Sequence, residues 1–244
     1  VMRSSLLGNL LQVVKFNTDR KASRVRVFEV GRVFLKDASV QASDTTVAGF
    51  HQPLRVAAMS YGPAQPAQWG MPERQVDFYD VKADLQALMA PAVLRFEPAE
   101  HPALHPGRCA RVYLGEQAMG IVGELHPRWR QAWDLPHAPV MFEVEMSAVL
   151  HRAVPSFVGV ARHQAVERDV AVWVDEQVSH ASLMNAIWSA PTDGLLRDAL
   201  LFDVYRPTAK AGESPGREKS LAVRLTLNSD EATLTEPQIE SAVA

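Results

Sequence analysis

The spacing of apolar residues predicts two amphipathic helices in the first half of the chain. One starts near Ser4 or Ser5, either of which suits an N-terminal cap, and ends at a charged run over 19–21. The other covers 78–89. Their apolar stripes, each at a spacing of three or four residues, are Leu6, Leu7, Leu10, Leu11 and Val14 in the first, and Val81, Leu85 and Leu88 in the second.

Alternating or β-rich runs predict strands between and after these helices. They cover 25–34 (with a break at Gly31), 54–61, 93–96, 111–114, 119–123 and 140–144. The polar stretch 37–53 and the Pro- and Gln-rich stretch 62–74 are expected to be loops, and 128–133 a short helix. Pro102, Pro106 and Gly107 predict a turn before the hairpin. Antiparallel strands with helices between them indicate an α+β domain.

The pattern changes after residues 154–157, where we place a domain boundary. Strands are predicted over 169–174, 199–204 and 220–227, with helices over 179–188 and from residue 234 or 235 onward. The order β-α-β-β-α is typical of a ferredoxin-like split βαβ whose last strand is missing. We therefore expect one domain over 1–153 and a second over 157–244. Because both chain ends fall inside predicted helices, we expect a fragment of a longer polypeptide.

Composition and charge narrow the class of protein. The 244 residues are 47% hydrophobic and 22% charged, which is ordinary for a globular protein. No apolar run predicts a membrane span and no secretory signal opens the chain, so no membrane partner is expected. The single cysteine, Cys109, excludes an internal disulfide framework and favours a reducing cytoplasm. Residues 157–244 hold 8 Lys and Arg against 13 Asp and Glu. This excludes a basic footprint for DNA or for strong non-specific RNA binding.

Three histidines, His101, His105 and His126, are candidate metal ligands. The first two are four residues apart, but the prolines that follow them oppose a helix, and no cysteine or acidic residue stands at metal-ligand spacing. Histidines in turns, bonded to backbone carbonyls, are the favoured interpretation. No metal site is predicted.

Other catalytic chemistry is weakly indicated. Asp77, Asp80 and Asp84 suggest acid–base work, but they also suit a solvated helix start favoured by the helix dipole. There is no Gly-x-Ser-x-Gly nucleophile elbow and no phosphate-binding glycine loop followed by Lys-Ser/Thr. Cys109 is expected to be buried rather than reactive. No catalytic residue is predicted.

The order of residues over 101–127 is the most specific signal in the chain. It reads HPALHPGRCARVYLGEQAMGIVGELHP, and it resembles the β subunit of bacterial phenylalanyl-tRNA synthetase, where His-Pro-Gly-Arg leads into a hairpin that ends in Gly-Glu-Leu-His-Pro. The runs LFDVYR (201–206) and KSLAVRL (219–225) resemble that family's anticodon-binding domain. Weaker likenesses, in the same order as in the family, lie at 2–7, 16–20, 26–34 and 77–82.

The resemblance implies a class II synthetase-like antiparallel sheet followed by a truncated ferredoxin-like anticodon-binding domain. It also implies an α-subunit partner, a two-α, two-β assembly and tRNA(Phe). The intact enzyme would use ATP and Mg²⁺ to attach phenylalanine to its tRNA. This portion departs from an active class II core, because Phe34-Leu35-Lys36-Asp37 lacks the second-motif arginine and the acidic run 142–146 lacks the third-motif arginine. Carboxylates there would repel phosphates, so the fragment is expected to be inactive and to hold no cofactor.

Tyr205 is the main candidate binding residue. It ends a strand before a polar loop, so its ring is expected at the sheet edge, where an exposed aromatic can stack on an unpaired base. Asp203 is expected on the same face, ready to accept from a base edge such as that of guanine. Ser220 opens the next strand, and the resemblance makes these three residues the anticodon-reading set. Arg206 and Lys219 are candidate phosphate contacts.

Plainer interpretations remain for these residues. Tyr205 also suits simple packing on the sheet, and Asp203 suits a turn. Three rival functions also stay open at this point. They are a freestanding RNA-binding module, a metal enzyme built on the three histidines, and a purely structural interface protein.

Overall fold

The computed structural model of the chain describes residues 2–151, 154, 157, 159, 161–207 and 217–243. The backbone divides into two compact units, Val1–Val154 and Pro155–Ala244. No helix among the described residues is long and apolar enough to cross a membrane.

The first unit is built on a six-stranded antiparallel sheet with the order β1-β4-β8-β7-β6-β5. A separate two-stranded ribbon joins β2 to β3. The strands are β1 (Val25–Arg32), β2 (Leu35–Lys36), β3 (Phe50–His51), β4 (Leu54–Tyr61), β5 (Leu94–Pro98), β6 (Leu104–Leu114), β7 (Gln117–Leu125) and β8 (Val140–Glu145). The helices are α1 (Leu7–Thr18), α2 (Phe78–Met89), α3 (Pro127–Ala132) and α4 (Met146–Leu150).

Helices cover both faces of this sheet. The apolar stripe of α1 packs on one face, in a cluster that includes Met59 and Met141. Val81, Leu85 and Met89 of α2 pack on the other face, in a cluster that includes Val122 and Phe142, whereas Leu88 of the predicted stripe is exposed. Because successive strand residues point to opposite faces, Met141 and Phe142 belong to different clusters. The sheet is therefore the middle layer of the unit, and the predicted α+β class is confirmed.

Local differences from the expected elements have physical causes. Strand β1 continues through Gly31, which pairs with Arg55, so the expected break is wrong. The guanidinium of Arg3 fills the space where a Cβ at position 31 would lie, and glycine is the residue that leaves this space open. The expected loop 37–53 ends in strand β3, and the expected turn before the hairpin is partly strand, because β6 already begins at Leu104.

The second unit has the predicted β-α-β-β-α order. Its elements are β9 (Val166–Asp175), α5 (His180–Ser189), β10 (Leu196–Tyr205), β11 (Glu218–Leu227) and α6 (Glu236–Val243). The sheet order is β10-β11-β9, and both strand pairs are antiparallel. Strand β11 is therefore central, and Ser179 caps α5 by accepting from the backbone N–H of Ser182. Residues 208–216 of the expected polar loop lie outside the described residues.

Candidate nucleic-acid interface

The sheet of the second unit has two different faces. Leu221, Val223 and Leu225 of the central strand are buried, in a cluster with Leu183 of α5 and Val243 of α6. The residues that alternate with them point to the opposite side, which we call the open face. On β11 the open face carries Ser220, Ala222, Arg224 and Thr226, all of which are at least partly exposed.

One row of side chains crosses all three strands on the open face. Ser220 pairs with Tyr205 on one side and with Trp173 on the other. The two rings lie in edge-to-face geometry, with centroids 6.1 Å apart and an interplanar angle of 85°. Tyr205 is 55% exposed and Trp173 is 58% exposed. We call Trp173, Ser220 and Tyr205 the aromatic row. It presents two large ring surfaces to solvent.

Asp203 lies next to the aromatic row. It pairs with Ala222, one position along the open face from Ser220, after an irregularity in β10 between Leu201 and Asp203. Its Oδ1 accepts a hydrogen bond from the backbone N–H of Val204 at 2.9 Å. The structure thus brings Tyr205, Asp203 and Ser220 together at one end of the open face. Their role in reading a base stays a prediction.

The two candidate phosphate contacts both meet Glu176. The guanidinium of Arg206 donates to the Glu176 carboxylate, with an Nη2–Oε1 distance of 2.8 Å, and holds the pKa of that carboxyl below its usual value. Lys219 is buried, and its Nζ donates to the backbone carbonyl of Glu176 at 2.7 Å. Lys219 therefore ties two chain segments together, and this placement does not support the phosphate contact expected of it. The contact expected of Arg206 stays a prediction.

Two features of the open face were not predicted from the sequence. Trp173 is one. Its position was available from the alternation along β9, where Val170, Val172 and Val174 point inward. The other is a bidentate pair in which Arg224 donates from Nε and Nη2 to Asp169 at 2.8 and 2.9 Å, which lowers the pKa of the carboxyl. A pairing between strands 55 residues apart leaves no local signal in the sequence.

The first unit carries a buried carboxylate at the start of α1. Glu143 is 5% exposed, and its Oε1 accepts from the backbone N–H of Leu6 at 2.6 Å. Its Oε2 accepts from Ser5 Oγ at 3.1 Å and from Arg55 Nη1 at 3.3 Å. A carboxylate at a helix N-terminus is favoured by the helix dipole and by the unpaired N–H groups there. The start of α1 is thus held by two acceptors, because Ser5 Oγ accepts from the backbone N–H of Leu7 at 3.1 Å while Glu143 of a distant strand accepts from that of Leu6.

Arg55 is shared between two carboxylates. Besides Glu143, it contacts Glu145 at 2.9 Å between Nη2 and Oε1. These are the acidic residues of the run 142–146, which contains no arginine. The Arg55 guanidinium is already engaged by two negative charges, so the cluster is not arranged to receive phosphate oxygens.

The three candidate metal ligands form turns. The Nδ1 atoms of His101, His105 and His126 each accept a hydrogen bond from the backbone N–H two residues later, at 3.2, 3.0 and 3.1 Å. The expected hydrogen bonds to backbone carbonyls are wrong. The proline after each histidine has no backbone N–H, so it is the N–H of the following residue that points back to the imidazole ring. A neutral ring that accepts at Nδ1 carries its proton on Nε2, so neither nitrogen offers a lone pair to a metal. The described residues hold no cluster of three or more metal-ligating side chains.

The acidic group at 77–84 belongs to a helix start. Asp77 accepts from the backbone N–H groups of Tyr79 and Asp80, and Asp80 accepts from the N–H of Asp77 in return. Both oxygens of Asp80 also accept from Arg74 at 2.7 Å, which lowers the pKa of Asp80 to about 2. Asp84 pairs with Arg26 at 3.0 Å. The helix-start interpretation is confirmed for Asp77 and Asp80, whereas Asp84 lies further along α2.

Cys109 is buried, as expected. Burial raises the pKa of its thiol, because the thiolate is poorly solvated there. A thiol held in its protonated form is a weak nucleophile, so this residue suits packing in the sheet.

Comparison with known proteins covers both units. The family described as "Phenylalanyl tRNA synthetase beta chain CLM domain" matches residues 1–146. The family described as "Ferredoxin-fold anticodon binding domain" matches residues 161–244. The phenylalanine–tRNA ligase beta subunits of Ralstonia nicotianae and Burkholderia lata are each 48% identical to this chain, over 99% and 100% of its length.

The chain spans about 30% of the length of these relatives. Among solved structures, a pyrrolysyl-tRNA synthetase from Desulfitobacterium hafniense aligns with a TM-score of 0.40 and 13% identity. That alignment covers 61% of this chain and 47% of the other.

Proposed function

The chain belongs to the phenylalanyl-tRNA synthetase β-chain family, and on that premise we propose that it is a non-catalytic portion of the β subunit. In this proposal the second unit binds the anticodon of tRNA(Phe), and the first unit pairs with the α subunit. The intact enzyme uses ATP and Mg²⁺ to attach phenylalanine to tRNA(Phe), with the chemistry on the α subunit. A reducing cytoplasm is the setting that suits the single buried cysteine.

The aromatic row is the observation that carries the proposal for the second unit. Single-stranded RNA is recognised by stacking its unpaired bases on aromatic side chains and by bonding their edges. Tyr205 and Trp173 offer ring faces, and the Asp203 carboxylate beside them suits the N–H groups of a guanine edge. The unit has more acidic than basic residues, so it is suited to contact bases more than phosphates. We therefore expect tRNA binding by this unit to depend only weakly on salt.

Substitution of Tyr205 tests this role. Stacking on one aromatic residue contributes about 1–3 kcal/mol per base. Tyr205→Ala should therefore weaken the binding of tRNA(Phe) to the full chain by about 5- to 150-fold. Tyr205→Phe, which keeps the ring, should retain most of the affinity. The measurement is a titration with labelled tRNA(Phe).

Tyr79→Ala is the matched control, since Tyr79 is another exposed tyrosine, 72% accessible, but lies in the first unit. If Tyr205→Ala binds tRNA(Phe) as tightly as the unchanged chain, the anticodon-binding role is wrong. A purely structural interface protein would then be the better account.

The proposal that the first unit is non-catalytic rests on its charges. Adenylate formation needs positive charge arranged in advance around the phosphates. The Arg55–Glu143–Glu145 cluster offers the opposite balance, and the ATP phosphates do not fit it. An ATP–pyrophosphate exchange assay on this chain alone should therefore give no signal. Robust exchange would contradict the proposal, and failure to co-purify with an α subunit would favour the freestanding RNA-binding module.

A further inference from the structure

A cleft of about 710 Å³ opens in the first unit between the start of α2 and the strands β5 and β6. Three aromatic side chains line it, namely Phe78, Tyr79 and Phe96. Lys82 also lines the cleft, because it lies four residues after Phe78 and three after Tyr79, on the same face of α2. The cleft is therefore an aromatic-walled space with one amine inside it.

The carboxylates that line the cleft already have partners. Asp77 accepts from the first turn of α2, as described above. Glu97 pairs with Arg95, and Glu124 accepts from Arg108 Nη1 at 2.7 Å. None of these acidic groups is within ion-pair distance of Lys82, so the cleft holds no salt bridge to its amine.

Lys82 is the exception among these charges. It is half-buried, and no residue in the described part of the chain accepts a hydrogen bond or an ion pair from its Nζ. Its Nζ lies 4.9 Å from the centroid of the Phe96 ring, in a cation–π contact. Partial burial without a counter-ion disfavours the ammonium form and lowers the pKa of Lys82.

Lys15 shows the opposite arrangement in the same unit. Its Nζ lies 2.7 Å from Asp19 Oδ1, and this hydrogen bond raises the pKa of Lys15. At neutral pH the free amine, which is the nucleophilic form, is therefore a smaller fraction of Lys15 than of Lys82. Lys15 and Lys82 thus differ in two ways: a carboxylate contacts the amine of Lys15, and an aromatic ring lies beside the amine of Lys82.

We propose that Lys82 is an acylation site that takes flat, apolar acyl groups from acyl phosphates. The amine nitrogen attacks the acyl carbonyl carbon, and an N–C bond forms as the C–O bond to phosphate breaks. Phosphate leaves with the electron pair, and the amine proton passes to water. The product is a neutral amide, so the cleft no longer holds an unpaired charge. A flat acyl group can pack against the three aromatic rings.

Competitive labelling of the full chain tests this site. The chain is treated at neutral pH with benzoyl phosphate or with acetyl phosphate, and the extent of labelling at each lysine is read by mass spectrometry. Benzoyl phosphate should label Lys82 faster than Lys15, because burial lowers the pKa of Lys82 while Asp19 raises the pKa of Lys15, so a larger fraction of Lys82 is the free amine. Lys21, an exposed lysine, provides a second internal reference. The ratio of Lys82 to Lys21 labelling should be higher with benzoyl phosphate than with acetyl phosphate.

Two variants separate the amine from the aromatic walls. Lys82→Arg should remove the label while the labelling of Lys15 and Lys21 is unchanged. Phe96→Leu keeps an apolar side chain but removes one ring, so it should reduce the preference for benzoyl over acetyl phosphate at Lys82. If Lys82 is labelled no faster than Lys21 by either reagent, the site does not exist. If its rate is raised equally for both reagents, the aromatic specificity is wrong. None of these outcomes depends on tRNA binding.

Discussion

The two sheets of the molecule differ in how many of their faces are covered. The sheet of the first unit lies between α1 on one face and α2 on the other, and five of the six residues of β8 are buried. The sheet of the second unit has its two described helices on one face only, and β11 alternates between buried and exposed residues. Both sheets carry Arg–carboxylate pairs, so the difference is one of environment rather than of residue type.

This difference decides what a charged or aromatic side chain can do. Glu143, between two layers, holds the start of a helix and an arginine, and is closed to any large partner. Trp173 and Tyr205, on an uncovered face, keep more than half of their surface in solvent. The open face of the second unit, which neither described helix covers, is therefore where we expect a macromolecule to bind.

Removal of the buried carboxylate should give the largest effect. Glu143→Ala leaves Arg55 without one partner and the backbone N–H of Leu6 without an acceptor in a buried site. Loss of one member of a buried, hydrogen-bonded ion pair costs about 3–5 kcal/mol. The free energy of unfolding of the first unit, measured in urea, should fall by that amount.

Glu143→Gln is the matched variant, because its amide oxygen can still accept from Leu6. It should cost less than Glu143→Ala. A loss below about 1 kcal/mol for the alanine variant would mean that the site behaves like an exposed pair, and the contrast between the two sheets would then fail.

Local patterns predicted the layers of the first unit well. The helix at 78–89 and the strand at 54–61 have the observed bounds, because each depends on the periodicity of its own side chains. The continuation of β1 through Gly31 was missed, because it depends on Arg3 crossing that strand. The role of Glu143 was missed for the same kind of reason, since its partner Leu6 lies 137 residues away in sequence.

The candidate site was predicted in part. Tyr205 and Ser220 were named from the sequence and from the family resemblance, and the structure pairs them directly. Trp173 was overlooked although the alternation along β9 gives its face, whereas its place beside Ser220 depends on the register of β9 beside β11. The buried position of Lys219 was not foreseen, because its partner is a backbone carbonyl 43 residues away in sequence. Single-strand patterns give the face of a residue, but register needs the whole sheet.

Substitution of Trp173 tests the open face of the second sheet, and its effect on tRNA(Phe) binding should be smaller than the effect of Glu143→Ala on stability. Trp173→Ala removes the ring that orients Tyr205 in an edge-to-face contact worth about 0.5–1.5 kcal/mol. Loss of this orientation should weaken tRNA(Phe) binding by at most about 2- to 12-fold. The comparison variant is Trp188→Ala, since Trp188 is 50% exposed but lies on α5, which packs on the other face. If Trp188→Ala weakens binding as much as Trp173→Ala does, binding is not specific to the open face.

Acid provides the last comparison, between one Arg–Asp ion pair of the first unit and one of the second. The pKa of Asp80 is about 2 beside Arg74, below the usual value of 3.8. Because the unfolded chain then takes up a proton at higher pH than the folded one, the stabilisation is complete above about pH 4 and is lost as the pH falls through 2. Urea unfolding of the first unit at several pH values should show this loss, and Asp80→Asn should reduce it.

Asp169 is the corresponding residue of the second unit, and Arg224 also lowers its pKa. Its side chain is 47% exposed against 20% for Asp80, so solvent screens its ion pair more strongly. Asp169→Asn should therefore change the acid dependence of the second unit less than Asp80→Asn changes that of the first. A larger effect for Asp169→Asn than for Asp80→Asn would show that burial does not set the strength of these two ion pairs. The contrast between covered and uncovered sheets would then not extend to surface charges, even if it holds for Glu143.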